Sequence, residues 1–168
     1  MTAPMTVLAD PDAPRTAPRR PVMRSRDHTV VQTRFGTVVV DRDNILEMPL
    51  GPLGFAQHRE FALADLPNPR LAAFKLLQSL SDPEVCFVLA PAAQTEAMIA
   101  PSDIDAACAA AGFDPAETTV WLIVTVRSTA DGVAMSVNLR APLLLDLPRR
   151  TARQVVLANP IYSVRHPI

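Results

Sequence analysis

The chain has 168 residues, the size of one domain, and a chain of that length buries roughly two thirds of the surface its unfolded form exposes. With 49% hydrophobic and 20% charged residues its composition is that of a globular protein. The 16 basic and 17 acidic side chains, net −1, argue against a general polyanion binder.

The charge is uneven. Residues 1–27 hold five Arg and three Asp, a balance of +2, which leaves 11 basic and 14 acidic side chains, or −3, for residues 28–168. A mildly acidic domain repels phosphate and attracts a basic protein surface. Residues 1–27 are rich in Pro, Ala, Arg and Thr without a period of 2 or 3.6, and are expected to be a disordered extension. Its cluster RRPVMRSR could touch RNA or an acidic partner, but a solvated tail is the default. Five Pro interrupt this stretch, so it has no signal-peptide core, and no apolar run reaches the roughly 20 residues that span a bilayer. A soluble cytoplasmic chain is expected, with no membrane partner. Cys86 and Cys108 lie in VCFVLA and DAACAAAGF and read as buried free thiols.

In chain order, β-branched runs at 29–33 and 37–40 flank RFG, where Gly36 permits a tight hairpin. An apolar segment at 45–48 ends at Pro49. Gly51 and Gly54 mark a turn or a close backbone approach, and Phe55 directly after them reads as a plug for one end of the core. A strand starts at Glu60. Residues 74–78 are expected to pair with 84–91 through SLSDPE. A helix is expected in PSDIDAACAAAGF, with Ser102 as N-cap, Asp105 closing a capping box, an apolar stripe of Ile104, Ala107, Cys108 and Ala111, and Gly112 as the stop. Residues 118–127 form a nearly continuous β run, expected to be central. Residues 133–140 alternate, with Val133, Met135, Val137 and Leu139 on the buried side. LLLDL and ARQVVLAN read as two further strands joined by a turn carrying Arg149 and Arg150. About nine short strands and one helix predict a mainly β fold: a small antiparallel barrel-like or sandwich domain with one short covering helix, spanning residues 28–168.

The supply of catalytic groups is thin. His28, His58 and His166 have no i,i+4 or HExxH spacing, and no GxSxG, GxxxxGK[ST] or GxGxxG motif is present. Asp103 and Asp105 suit the start of a helix better than acid–base work. No enzyme activity, metal or cofactor is expected; a Cys86–His166 dyad is the residual enzymatic alternative and an Arg-tail RNA binder another. The end of the chain, LANPIYSVRHPI, places Asn159, Tyr162, Arg165 and His166 in one short irregular segment. Tyr and Arg are favoured contact residues, although the same side chains could tie the end of the chain onto the domain.

From about Thr29 to Ile168 the chain resembles the FliW family of flagellar assembly factors. The resemblance rests on TRFGTVVVDRDNILEMPLGPLGFAQHREFAL, KLLQSLSDPEVCFVLAP, SVNLRAPLLLD and NPIYSVRHPI, four separated motifs in order. It implies a small cytoplasmic β-barrel-like protein without a cofactor. Such a protein would bind flagellin and the RNA-binding translational regulator CsrA, with free FliW sequestering CsrA and new flagellin capturing FliW. A dedicated flagellin chaperone without control of CsrA is the alternative. Positions matching family motifs include Gly51, Gly54, Phe55, Gln78, Ser79, Asn138, Leu139, Ala141, Pro142, Asn159, Tyr162, Arg165 and His166. The candidates for protein binding are Asp41, Asp43, Glu47, Phe55, Asn138, Arg140, Tyr162, Arg165 and His166. Asp146 departs from the Asn common in the family, which is expected to alter one surface contact, and Ile168 replaces a common Leu.

Overall fold

The structure, a computed structural model, describes residues 28–34, 36–66, 68–94 and 99–168, and the expected extension at 1–27 lies outside the described residues. Eleven strands and one α-helix are found among them. Strands β1 (His28–Thr33) and β2 (Gly36–Asp41) form the expected antiparallel hairpin, with Gly36 at φ 112°. Then come β3 (Ile45–Glu47), β4 (Glu60–Asp65), β5 (Lys75–Ser79) and β6 (Cys86–Pro91). After helix α1 (Pro101–Ala111) follow β7 (Thr118–Thr129), β8 (Gly132–Val137), β9 (Leu143–Asp146), β10 (Thr151–Gln154) and the two-residue β11 (His166–Pro167).

The pairing closes into a ring, β3–β4–β5–β6–β7–β9–β10 and back to β3. Neighbours are antiparallel except β10 and β3, which run parallel and meet at Thr151↔Glu47 alone. One such pair is unavoidable, because strand directions cannot alternate all the way round a closed set of seven. β7 serves two neighbours on successive stretches: Thr118–Trp121 pairs with β9, and Val124–Thr129 pairs with β8. β8 and β11 therefore extend the sheet outside the ring.

Alternation along the strands sorts the apolar residues into layers. Leu46, Phe61, Leu63, Leu77, Leu89, Leu143 and Leu145 fill one core, with Phe87, Trp121 and Ile123 packed against it. The intervening residues Ala90, Leu122, Val124 and Val137 face a second layer, closed by Ala107 of α1 and by Leu157 and Tyr162 of the closing segment. The β1–β2 hairpin covers Ala62 of β4 with Val31 and Val40. Both sheet faces are thus covered over much of the ring, which is why β9 is buried along its whole length and why its LLL run lacks a polar face. At roughly 2 kcal/mol per fully buried Leu or Phe, these layers are the main stabilising term.

Three expectations need correction. The helix starts at Pro101 with Ala100 as N-cap and no side-chain cap, so Ser102 lies inside the first turn and Asp103 is the acidic residue there. Proline has no amide hydrogen to leave unpaired and its φ is preset for a helix, so Pro101 begins the helix two residues earlier than the Ser102 cap would. Val133, expected on the buried side of β8, is 70% exposed, because the β7–β8 arm runs past the last β6 pair, Val88↔Val124. Asp146 is buried rather than a surface residue. The stop at Gly112 is as expected, with φ 74° and the Phe113 amide donating to the Cys108 carbonyl at 2.9 Å.

Candidate protein-binding surfaces

The first group of candidates sits where β2 turns into β3. Asp41 caps the 3-10 turn Arg42–Asn44, its carboxylate accepting the Asp43 amide at 3.1 Å. Asp43 and Glu47 are exposed, and Glu47 donates its backbone amide to the Arg150 carbonyl at 2.8 Å. Arg42 stands between the two aspartates, and Glu47 lines a groove with Glu60, Arg59, Arg149 and Arg150, so the charge at this corner is mixed and only Asp43 is an exposed acid outside that groove.

Phe55 is half-buried and meets Phe87 edge to face, with ring centroids 5.2 Å apart, as a plug at one end of the core would. The turn before it depends on Gly51, where an added Cβ would lie 2.5 Å from the Phe55 carbonyl oxygen and 2.9 Å from that of His58. Beside it the buried His58 places Nδ1 3.0 Å from Ser79 Oγ and 3.1 Å from Ser81 Oγ, while Gln78 Nε2 donates to the carbonyls of Ser79, Asp82 and Val85. These polar residues hold the β5–β6 turn.

Asn138 and Arg140 lie in the bend between β8 and β9. Asn138 Oδ1 accepts the amides of Arg140 and Ala141 at 3.1 Å each, and the Arg140 carbonyl accepts the Leu157 amide at 2.9 Å. One strand later, Asp146 accepts the Arg149 amide on Oδ1 and its guanidinium on Oδ2, both at 3.0 Å. The carboxylate therefore organises the β9–β10 turn from beneath.

The closing segment runs back along β8. The Leu139 amide donates to the Ser163 carbonyl at 3.0 Å, and His166 pairs with Val137. Tyr162 is buried, and its hydroxyl donates to Asp103 Oδ2 at 2.5 Å and accepts the Ala100 amide at 3.0 Å. Asn159 Nδ2 also donates to Asp103 Oδ2, at 3.3 Å. The hydrogen bond to Asp103 raises the pKa of the Tyr162 hydroxyl, opposed by the Ala100 amide. Arg165 remains exposed beside Ile161 and Val164, which are 78% and 58% exposed. These two apolar neighbours had no sequence signal, because an irregular segment has no period to show which residues face out.

The nine candidates thus fall in three places: Asp41, Asp43 and Glu47 at the β2–β3 turn; Phe55 at the plug; and Asn138, Arg140, Tyr162, Arg165 and His166 around the closing segment. Cys86 is half-buried and Cys108 fully buried, and both are free thiols. Burial raises the Cys86 pKa, with Arg34 pulling it back, and burial likewise raises that of Cys108. Among the described residues no cluster of three His, Cys, Asp or Glu could hold a metal, and no helix is long and apolar enough to cross a membrane.

The family model for the FliW protein matches residues 29–168, from the first hairpin to the end of the closing segment. The chain belongs to the FliW family. It is 36% identical over 140 residues to a protein of Bdellovibrio bacteriovorus named flagellar assembly factor FliW, covering 81% of this chain and 76% of that one. A protein of Geotalea uraniireducens with the same name is 32% identical over 138 residues, covering 82% of both chains. A crystal structure of the flagellar assembly factor FliW superposes with a TM-score of 0.61 over 83% of this chain and 96% of that chain, at 24% identity, and so supports the fold. Measured against this FliW domain, Gly51, Gln78, Asn138 and Tyr162 are occupied in shaping the molecule. Asp43, Glu47 and Arg165 are exposed, and Asp41, Phe55, Arg140 and His166 are half-buried.

Proposed function

We propose that this chain is a cytoplasmic flagellar assembly factor that binds flagellin and sequesters the translational regulator CsrA, coupling flagellin synthesis to secretion. The observation that carries this reading is that the FliW match spans the entire β domain, from β1 to β11. The domain is the working unit in this reading, and residues 1–27 are an extension to it. It acts by binding, without chemistry or a cofactor. A basic RNA-binding regulator would be steered toward the acidic excess of residues 28–168, with the exposed Asp43 as one contact. Flagellin would be held through an apolar surface, for which Ile161 and Val164 beside Arg165 are suited. Such a factor has no transition state to stabilise, only two affinities to set against one another.

Titration calorimetry of the full chain against flagellin and CsrA from the same cell, then with both present, tests this. Binding to both, with flagellin displacing CsrA, is expected. Binding to flagellin alone would make the chain a dedicated flagellin chaperone, and no heat with either partner would overturn the proposal.

A further inference from the structure

Past its pair with Val88 of β6, at Val124, strand β7 goes on to Thr129 and turns into β8, so that the two form an arm outside the ring. Residues 125–129 are all exposed. The Asn138 amide donates to the Ile123 carbonyl, and the hydrogen-bonding side alternates along an antiparallel strand. Thr125 and Arg127 therefore turn their backbone groups to Ser136 and Ala134 of β8, while Val126 and Ser128 each turn an N–H and a C=O away from it. β6 occupies that outer side only as far as Val124, and leaves the rest of the edge to solvent.

Strand edges are commonly guarded by Lys, Pro or a bulge. The edge at β11 is guarded in this way, being two residues long and including Pro167. Residues 122–134 contain neither Lys nor Pro, and the β7–β8 register runs from Val124 to Thr129 without a bulge. One charge stands on this edge, Arg127, and the ion pairs among the described residues, Lys75–Asp65 and Arg149–Asp146, do not include it.

That arginine decides what can pair here. Two copies of the arm joined antiparallel, Val126 to Ser128, would set Arg127 directly opposite Arg127, a like-charge pair that disfavours the joint. A strand with an acid at that place gains where a second copy loses. The apolar face of the arm selects further. Val126 pairs with Met135, and the Ile168 amide donates to the Met135 carbonyl, so the three form an apolar row across the strands, with Val126 56% exposed at its end. A residue that prolongs this row past Val126 is apolar as well.

We infer that the β7 edge of the arm accepts an extended segment of a partner protein as an added antiparallel strand. The segment carries an acidic residue opposite Arg127 and apolar residues on either side of it, opposite Val126 and Ser128. The backbone groups of Val126 and Ser128 hold the strand, and its side chains select it. The site is separate from Ile161 and Val164, and so does not depend on how flagellin is held.

The probe is the blocked peptide Thr-Val-Glu-Val-Thr, titrated at low salt into the isotope-labelled full chain and followed by amide chemical shifts. The largest shifts are expected at 125–129, with affinity about fivefold lower for Thr-Val-Lys-Val-Thr. Arg127→Glu, at an exposed position, should invert that preference. N-methylation of both valines, whose amides would face β7, should abolish binding, whereas N-methylation of the glutamate should not. Ser128→Pro removes only an outward amide, so it should keep the far-UV spectrum and lose the peptide. Equal affinity for the Glu and Lys peptides would overturn the inference, as would shifts centred away from 125–129 or none at about 5 mM peptide. Shifts of Val126 and Ser128 that grow with protein concentration in the absence of peptide would assign the edge to a second copy, and overturn it too.

Discussion

Tyr162 donates its hydroxyl to Asp103 Oδ2 while accepting the Ala100 amide, so one side chain near the end of the chain holds the first turn of helix α1. The Ala100 N-cap has no side-chain cap of its own, and this bond from 62 residues away supplies an acceptor for its amide. Tyr162→Phe keeps the ring in its apolar layer and removes both bonds. A lower Tm and faster hydrogen exchange at 155–168 and 99–104 are expected, with the far-UV spectrum unchanged. The folded-state pKa of Tyr162 is raised, so its contribution is complete below about pH 10, the ordinary tyrosine value, and is lost as pH rises through the raised one. An alkaline unfolding series should show this step in the wild type, and Tyr162→Phe should lack it.

Gly51 and Gly54 both have positive φ, at 64° and 83°, yet their surroundings differ. An added Cβ at Gly54 meets nothing within 4 Å, whereas at Gly51 it strikes backbone atoms of Phe55, Ala56 and His58. Gly54→Ala should cost about 1 kcal/mol, the strain of a left-handed residue. Gly51→Ala should cost roughly 3 kcal/mol or more, since the backbone of the 55–58 loop must move as well. Urea denaturation of the two variants checks the order.

The thiols should differ in reactivity. With its pKa raised by burial, Cys86 holds little thiolate at neutral pH, and iodoacetamide should label it slowly there and faster as pH rises. Cys108 is fully buried and should be labelled only in denaturant. Mass spectrometry of labelled peptides reads both; rapid labelling of native Cys108 at pH 7 would contradict the packing under α1.

Asp146→Ala should cost about 1–3 kcal/mol, because the Arg149 amide loses its acceptor. Asp146→Asn retains an oxygen for that amide and gives up the pair with an Arg149 side chain that is 64% exposed, so a loss below about 1 kcal/mol is expected. Thermal melts of the two variants at matched ionic strength discriminate the roles of acceptor and charge.

Local pattern made the strands, the Gly36 and SLSDPE hairpins and the central place of residues 118–127 legible, because β-branched runs and turn residues act over a few positions. Distant relations were not. The pairing of Thr151 with Glu47 joins residues about a hundred positions apart, and nothing local marks it. Asp146, after three leucines, reads as the point where a strand meets solvent; only the fold of the following turn puts its oxygens under Arg149. Tyr162 had two readings from sequence, contact or tie, and the position of Asp103 favours the tie. The exposed Arg165 keeps its place as a contact candidate.

The odd number of staves in this barrel also sets where it can breathe. Six of the seven joints are antiparallel ladders of three to five residue pairs, while the seventh is one parallel pair and the Glu47–Arg150 amide bond. A joint with so few bonds is the first to part in local opening, ahead of global unfolding. It lies against the core that contains Leu46 and Ala152, so its parting wets the interior along a line chosen by the topology. Deuterium should therefore reach the amide of Glu47 before those of Leu77 and Leu89.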